Sequence, residues 1–504
     1  VSLIRRFGAA LGLVSGVPAL PPPGLEAGAA SRRLRGFVPA RAHINAILQT
    51  AGPTALARAR WLARNNPYAA NAVECFTATA IGTGIVPVMP SAVRPETRSA
   101  VKTLWERWVD DADAENRTDL YGLQRRVARE LFIAGEAFLR FRPRRPEDGL
   151  AVPLKVELLP SEMLPADENR DLGGGAMIRA GIEFDPIAER RAYWFWRRNP
   201  TDTSPLAGPQ QKVRIPADQV LHIVDPVEAG QIRGLSRFAP AMARLILLDQ
   251  YDDAELERKK TAAMFSAFIT RPPLDAPFMG EGAADGQGVA LAGLQPGTMQ
   301  ILAPGEDIRF ADPADVGQSY EAFQYRTLLS IAAALGLPYY AMSGDMVRAN
   351  YSNTRAAMVE IRRRMEAFQH DVLAHQMCRP IWTEWLRAVR FAEVLTLDPA
   401  EWAMLDPPEW RPPKWEWVDP LKDMQAEALA VAHGFKARSD VIAAQGYDAE
   451  EVDRRIAADR ARERALGLAF EGSAPIAPAE DDEPAEDTPP AEQPTDPGGR
   501  EEGR

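Results

Sequence analysis

Cysteine is almost missing from this chain: 504 residues hold only Cys75 and Cys378. They lie far apart and have no C-x-x-C or histidine-spaced partner, which excludes a disulfide framework, offers no zinc pattern and fits a reducing cytoplasm. No stretch approaches the roughly 18 consecutive apolar residues of a membrane-crossing helix, so no membrane partner is expected. Catalytic signatures are missing too. There is no G-x-x-x-x-G-K-[ST] phosphate loop, no H-E-x-x-H, no G-x-S-x-G elbow and no G-x-G-x-x-G after a strand-like segment. An excess of positive charge is also absent. The formal net charge is -11, and much of it sits beyond Glu471, where only Arg500 and Arg504 oppose a run of acids. The rest is close to neutral, which argues against a tight, counterion-releasing grip on nucleic acid. It leaves room for loose contact with nucleic acid.

What is present is a long, ordinary globular composition, 46% hydrophobic, more than one compact core usually takes, so two or more structural regions are expected. The first 40 residues carry Arg5-Arg6, an apolar stretch from Phe7 to Leu20, Pro21 to Pro23 and Ser31-Arg32-Arg33. With Val17-Pro18-Ala19 this imitates a secretory signal. A mobile basic arm is the preferred reading, because nothing else points to secretion.

Residues 53–80 show one apolar helical face, broken at Asn65-Asn66-Pro67, and predict two helices joined by a turn. Further helices are predicted at Glu96 to Asp110 and Asp119 to Ala134. The period then changes to two, predicting strands at Glu136 to Phe141, Leu154 to Leu159, Ala180 to Phe184, Ala192 to Trp196 and Gln219 to Ile223. The fold class is therefore α+β. A helix is expected from Ser236 to about Lys260, with Phe238, Ala239, Met242, Leu245, Ile246 and Tyr251 toward one side and cations at its end complementing the dipole. Strand-like pieces at Phe265 to Arg271 and Met299 to Leu302 flank a Gly-rich loop, and a second helix is expected from Ser319 to Leu335. A very long helix is predicted from Ser352 to Val389, which Pro380 should kink or break. A small helical region, Leu421 to Leu468, follows a Pro- and Trp-rich passage, and the acidic tail beyond it should be disordered.

Candidate chemistry is thin. His370 and His375 are five apart, not the four that places two imidazoles on one helix face for a metal. The pairs Asp110-Asp111, Asp252-Asp253 and Asp481-Asp482 read as solvated faces. Trp194, Trp196, Trp415 and Trp417 could stack on bases, yet aromatics at alternate positions more often pack a sheet face. No metal, cofactor or catalytic residue is assigned.

Particular residues carry more than these patterns. Arg58 to Ala72 (RARWLARNNPYAANA), Ile81-Gly82-Thr83-Gly84-Ile85, Phe132-Ile133-Ala134-Gly135-Glu136-Ala137, Gly230 to Ser236 (GQIRGLS) with Leu248 to Glu255, Gly336-Leu337-Pro338-Tyr339 and Asn350 to Ala357 occur in this order. Together the series resembles the lambda-type family of tailed-phage portal proteins over roughly Arg58 to Val389.

The resemblance implies a ring, twelve-membered, of subunits with wing, helical stem, clip and helical crown. On that plan 1–52 is a basic arm, 53–234 the wing, 235–264 and 317–336 the two stem helices and 265–316 the clip between them. Residues 337–352 are the tunnel loop, 353–420 the long helix and wing return, 421–470 the crown and 471–504 the tail. The implied role is a head-tail connector for DNA packaging and ejection. Its partners would be copies of itself, the terminase large subunit, the major capsid protein, head-tail adaptors and double-stranded DNA. It would sit at the capsid portal vertex of the virion, and in host cytoplasm before assembly. Arg348 and Asn350 are the candidates for transient phosphate contact in the channel, and Arg258, Lys259 and Lys260 for a charged stem end. Two other classes stay open: a nucleic-acid-processing enzyme of the packaging machinery, which would need clustered metal-binding carboxylates, and a secreted binding protein.

Overall fold

A computed structural model describes residues 38–39, 41–202, 210–264, 268–270, 307–309, 318–347, 351–415 and 420–468. Two compact units divide the chain after Asp423.

The first unit opens with α1 (Ile44–Asn65) and α2 (Pro67–Ile81). The break between them falls at the predicted place for a local reason. Asn66 is extended, as a residue before proline prefers, and its side chain accepts from the Ala69 amide, capping α2 behind Pro67. The start of α1 differs from expectation. The helix begins at Ile44, inside the span assigned to the arm, and runs through Pro53 because Ile44 and Leu48 extend its buried face toward the chain start.

Strand β1 (Val86–Val88) and helices α3 (Pro95–Asp111) and α4 (Leu120–Ala134) follow, with Asp119 capping α4 through the Gly122 amide. Two antiparallel sheets come next. One orders β3 (Leu154–Leu159), β2 (Glu136–Pro143) and β9 (Val220–Val224); the other is a meander of β4 (Arg170–Gly173), β5 (Ala176–Arg179), β6 (Ile182–Phe184), β7 (Arg190–Trp196) and β8 (Lys212–Pro216). Strand β2 divides its side chains as period two requires: Ala137, Leu139 and Phe141 enter the main core, while Phe138 enters a second core with Ile182, Tyr193 and Phe195. The alternate tryptophans of β7 share one face of the sheet, as expected from their spacing. Tyr193 and Phe195 are buried, and Trp194 and Trp196 lie on the other face under Arg170 and Lys212.

Helix α5 (Met242–Met264) starts later than Ser236, because residues 237–241 form turns. Its buried face is Phe238, Ala241, Leu245 and Leu248, continuous with the turn before it. Short strands β10 (Phe268–Thr270) and β11 (Asp307–Arg309) pair with each other, and α6 (Gln318–Leu335) returns to α7 (Tyr339–Ser343). Met299 to Leu302, the Gly-rich loop, the N-terminal arm up to residue 37, Trp417 and the acidic tail lie outside the described residues.

Pro380 does not end the long helix; the helix changes its winding just before it. Helix α8 (Tyr351–Phe368) widens into a π-helical stretch, Gln369–Cys378, and continues as α9 (Arg379–Phe391), with Pro380 in its first turn. The wide stretch carries Gln376, whose amide both accepts from the Val224 N–H at 2.9 Å and donates to its carbonyl at 3.0 Å, extending the exposed edge of β9. Gln124 treats Ile85 in the same way at 2.8 and 3.0 Å. Helix α10 (Pro399–Met404) and β12 (Glu409–Arg411) close the unit, β12 pairing antiparallel with β1.

The main core is anchored by Trp105, Trp108, Trp382, Trp385 and Trp410, with neighbouring ring centroids 4.9–6.5 Å apart. The second unit holds the rest of α11 (Pro420–Ala432), then α12 (Arg438–Ala444) and α13 (Ala449–Leu466).

Trp382 is fully enclosed in the tryptophan cluster and its indole donates to the Leu405 carbonyl at 2.9 Å. Trp382→Ala should cost about 3–5 kcal/mol, read as a lower denaturant midpoint by circular dichroism. A change within 1 kcal/mol would show that the cluster is not packed as described.

Candidate assembly and channel site

The motifs Phe132 to Ala137 and Gly230 to Ser236 meet in space. Helix α4 ends on Gly135 in the left-handed region, and the Leu235 backbone crosses it so closely that a Cβ on Gly135 would stand 2.2 Å from the Leu235 oxygen. A Cβ on Gly234 would stand 2.4 Å from the Gly135 carbonyl carbon. Only glycine permits either side of this crossing.

The contact delivers Glu136, the first residue of β2, to the turn that leads into α5. Glu136 is 2% exposed, and its carboxylate is surrounded by donors. Arg233 gives it Nε at 3.0 Å and Nη2 at 2.7 Å, the Gly234 amide donates at 2.7 Å, His222 Nε2 lies at 3.2 Å, and the Ser161 hydroxyl also donates. Arg233 spends its remaining donors on backbone, reaching the Ala180 carbonyl at 3.0 Å. Gln231 ties the turn to itself, donating to the Arg233 carbonyl and accepting from the Val227 amide. Just beyond, Arg237 pairs with Asp225 at 2.7 Å and lies over the rings of Phe76 and Phe368. Nearby, Arg60 joins Glu130 and Glu162 at 2.6–2.9 Å on the wall of a cavity of about 750 Å³ that Glu136 and Arg233 also line.

Burial alone would raise the Glu136 carboxyl, but the Arg233 charge and the His222 hydrogen bond prevail and hold it well below the usual carboxylate range. Burial pushes His222 the other way from charging, lowering it. A neutral His222 donates from Nε2 to Glu136, and its Nδ1 is buried without a hydrogen-bond partner among the described residues. A proton there would have nothing to bond to.

The paired helices α5 and α6 carry a separate polar cluster. Asp252 on α5 accepts from the Tyr320 hydroxyl at 2.8 Å and from Gln324 at 3.2 Å. Tyr251 packs on Tyr320 and Phe323. Burial and the bond to Asp252 push the Tyr320 phenol up to about 12. Asp252 is therefore a link between helices and not the solvated acid expected from sequence, while Leu247, Leu256 and Phe323 remain exposed.

Of the candidates chosen from sequence, Arg348 and Asn350 lie outside the described residues; Met346 and Val347 before them are exposed. Arg258, Lys259 and Lys260 do stand together near the end of α5. Arg258 binds Glu255 at 2.7 and 2.9 Å, holding that carboxylate below its usual range. Lys259 lies 3.9 Å from Glu255 and over the Tyr320 ring, and Lys260 is 3.5 Å from Glu257. The charged end is thus largely balanced by its own helix. Glu136 and His222 were missed. The available signal was a charged or titratable residue inside apolar strand text, Glu136-Ala137-Phe138-Leu139 and Leu221-His222-Ile223. Cys378 is buried and its thiol pushed up to about 12, and Cys75 is raised by burial too. His370 and His375 are both exposed. Among the described residues no group of three or more His, Cys, Asp or Glu could hold a metal, and no helix is long and apolar enough to cross a membrane.

Replacing Glu136 by Gln leaves Arg233 buried without its counter-charge, so a loss of about 3–5 kcal/mol is expected in denaturant titrations. The pH dependence has a definite sign. His222 and Glu136 both bind protons more readily unfolded than folded, so their stabilisation is complete above about pH 6.5. It fades first as His222 charges on unfolding, and again below about pH 4.5 for Glu136. In thermal melts from pH 8 to 4, His222→Gln should flatten the upper part of this decline. An unchanged slope there would remove His222 from the account.

The family described as phage portal protein, lambda family, matches residues 30–369. A probable portal protein of Halomonas phage phiHAP-1 is 26% identical over 315 residues, covering 62% of this chain and 61% of its own length. The portal protein of Escherichia phage N15 is 24% identical over 491 residues, and portal protein B of Escherichia phage lambda 23% over 495, each covering 86% of this chain and 89% of the relative. Among solved structures, the neck of an empty GTA particle computed with C6 symmetry aligns at a TM-score of 0.45 and 16% identity, covering 81% of this chain and 95% of that one. An HK97 family phage portal protein from Corynebacterium diphtheriae aligns at 0.28 and 14%, covering 60% and 84%. The motifs that meet around Glu136 fall inside the matched span, and this chain belongs to the lambda family of phage portal proteins.

Proposed function

We propose that this chain is the portal subunit of a head-tail connector, a structural ring component through which double-stranded DNA is packaged and ejected. The observation that carries the reading is family membership over residues 30–369, which includes the α/β body and both long helices. Copies of the chain form a closed ring, twelve in the assembled particle, at the portal vertex of the virion.

In this ring α5 and α6 are the stem, with 265–316 between them as the clip that docks the terminase large subunit and, later, the head-tail adaptors. The α/β body is the wing seated against the major capsid protein, 421–470 is the crown, and the arm ends where α1 begins at Ile44. Helices suit a channel wall because they satisfy their own backbone hydrogen bonds, leaving only side chains to meet the DNA. ATP hydrolysis belongs to the motor. The balanced cations of the α5 end support this picture, since a wall with few unpaired positive charges does not clamp phosphate. Arg348 and Asn350, between α7 and α8 in the segment 337–352 whose first part is the helix Tyr339–Ser343 and not loop throughout, supply weak phosphate contacts repeated around the ring.

Mass photometry of the purified chain with negative-stain imaging of the same sample should show rings with an axial hole wide enough for duplex DNA. A monomer or dimer at every concentration would overturn the reading. In assembled particles Arg348→Ala should lower packaged DNA several-fold, and unchanged packaging would remove that residue from the channel.

A further inference from the structure

Two more of the ordered motifs meet where the chain leaves the body for Arg348. Asn71 belongs to the stretch Arg58 to Ala72 and sits at an exposed position of α2, while Gly336 to Tyr339 lead into α7. Helix α7 has five residues, too few to hold itself in water. It is held from outside. Leu337 and Met342 are buried in the main core, and Tyr339 meets Tyr325 of α6 edge to face at 4.9 Å. The last carbonyls of a helix have no amide ahead of them in the helix itself. Here the Asp345 N–H, which a longer helix would give to Ala341, turns instead to the Ser343 hydroxyl at 3.2 Å. Asn71 fills the gap. Its Nδ2 donates to the Ala341 carbonyl at 2.9 Å and to the Met342 carbonyl at 2.7 Å, which uses both hydrogens of the amide.

Beyond α7 the chain is tied to itself. Gly344 turns it in the left-handed region. The Asp345 carboxylate then accepts from the Tyr339 hydroxyl at 3.0 Å and from the Val347 amide at 2.9 Å, the second bond closing an Asx turn. Burial, and then the bond to Asp345, raise the Tyr339 phenol, so the proton stays on the donor. Met346 and Val347 stand out into solvent, Val347 at 93% exposure, and Arg348 is the next residue in sequence. Asn71 is thus a polar link between α2, whose other side lies in the main core, and the knot that ends at Val347.

We infer that Asn71 is a positioning residue for the channel segment: by holding the Ala341 and Met342 carbonyls on α2 it sets the point at which the chain leaves the body toward Arg348, and Asp345 sets the direction. Functional loops work from a rigid scaffold, and a contact repeated in every copy of a ring needs the same anchor in each. Asn71 therefore acts through Arg348 and Asn350 and not by a contact of its own. The inference rests on the channel reading of residues 337–352 above and adds to it the anchor.

Double electron–electron resonance on the full chain tests it, with nitroxides at Val347→Cys and at Arg58→Cys on α1, in a Cys75→Ala background and diluted with unlabelled copies. Cys378 is buried and stays unlabelled. The parent should give one narrow distance distribution. Asn71→Ala should widen it roughly twofold as the segment opens locally, and Asn71→Asp, which sets a carboxylate against two carbonyl oxygens, should widen it further. Both changes fall at an exposed position, so circular-dichroism melts should stay within a few degrees of the parent. Particles assembled with Asn71→Ala should hold several-fold less DNA. Unchanged distances in both variants would overturn the inference. Wider distances with full packaging, where Arg348→Ala packages poorly, would overturn it too and leave the portal reading standing. Full packaging by Asn71→Ala and Arg348→Ala alike would overturn the channel reading of the segment and this inference with it.

Discussion

The carboxylate of Glu136 is the point on which the body and the departure of α5 both depend. It is buried at the start of β2 and receives Arg233, Gly234, His222 and Ser161, four groups from three other parts of the chain. A buried ion pair of this kind gains little net energy over an apolar replacement, because the desolvation of two charges offsets their attraction. What it supplies is geometry. Every lone pair of the carboxylate has a designated donor, so any shift of the 233–236 turn along β2 leaves a charge or an amide unpaired. The two glycines that cross at the same place, Gly135 and Gly234, make the approach short enough for those bonds to form.

The same device, a polar side chain paired with otherwise stranded backbone, recurs wherever elements of different kind meet. Gln124 completes Ile85 at the end of α2, Gln376 completes Val224 at the edge of β9, and Asn66 both caps α2 and donates to Asp249 on α5 at 3.3 Å. The π-helical stretch has a rationale in this light. Its wider turns keep a continuous helix from Tyr351 to Phe391 while presenting Gln376 to the strand edge on one side and Gln369 to the Ala80 carbonyl on the other. Gln124 and Gln376, with both halves of the amide bonded to one residue's backbone, specify register in a way that leucine and valine contacts alone do not, whereas Gln369 bonds through its Nε2 only.

Charge is handled differently on the long helices. Along α5 the acids and bases answer one another or the neighbouring α6, as Asp252 does with Tyr320 and Gln324, and as Glu255 does with Arg258 and Lys259. The result is a surface of mixed sign with little net field. Among the described residues of α5 and α6, the exposed large apolar side chains are Leu247, Leu256 and Phe323.

Most elements were legible in the sequence because their causes are local. Hydrophobic period, the Asn66-Pro67 break, the Asp119 cap and the change to period two at Gly135 act over a few residues, and the helices and strands they predict within the described residues are there, Met299 to Leu302 lying outside them. The family could be read as well, since ordered short motifs survive in linear text. The errors were also local rules applied where a neighbour overruled them. Ile44 extends α1 past Pro53, the wide turns before Pro380 carry the helix onward, and Asp252 is held by α6. What only the tertiary structure decided is which residues share a site. Glu136 and Arg233 are 97 positions apart, and nothing in either stretch marks the other as its partner. A buried charge is tolerable only when a counter-charge and donors arrive from elsewhere in the fold, so its meaning exists in three dimensions alone.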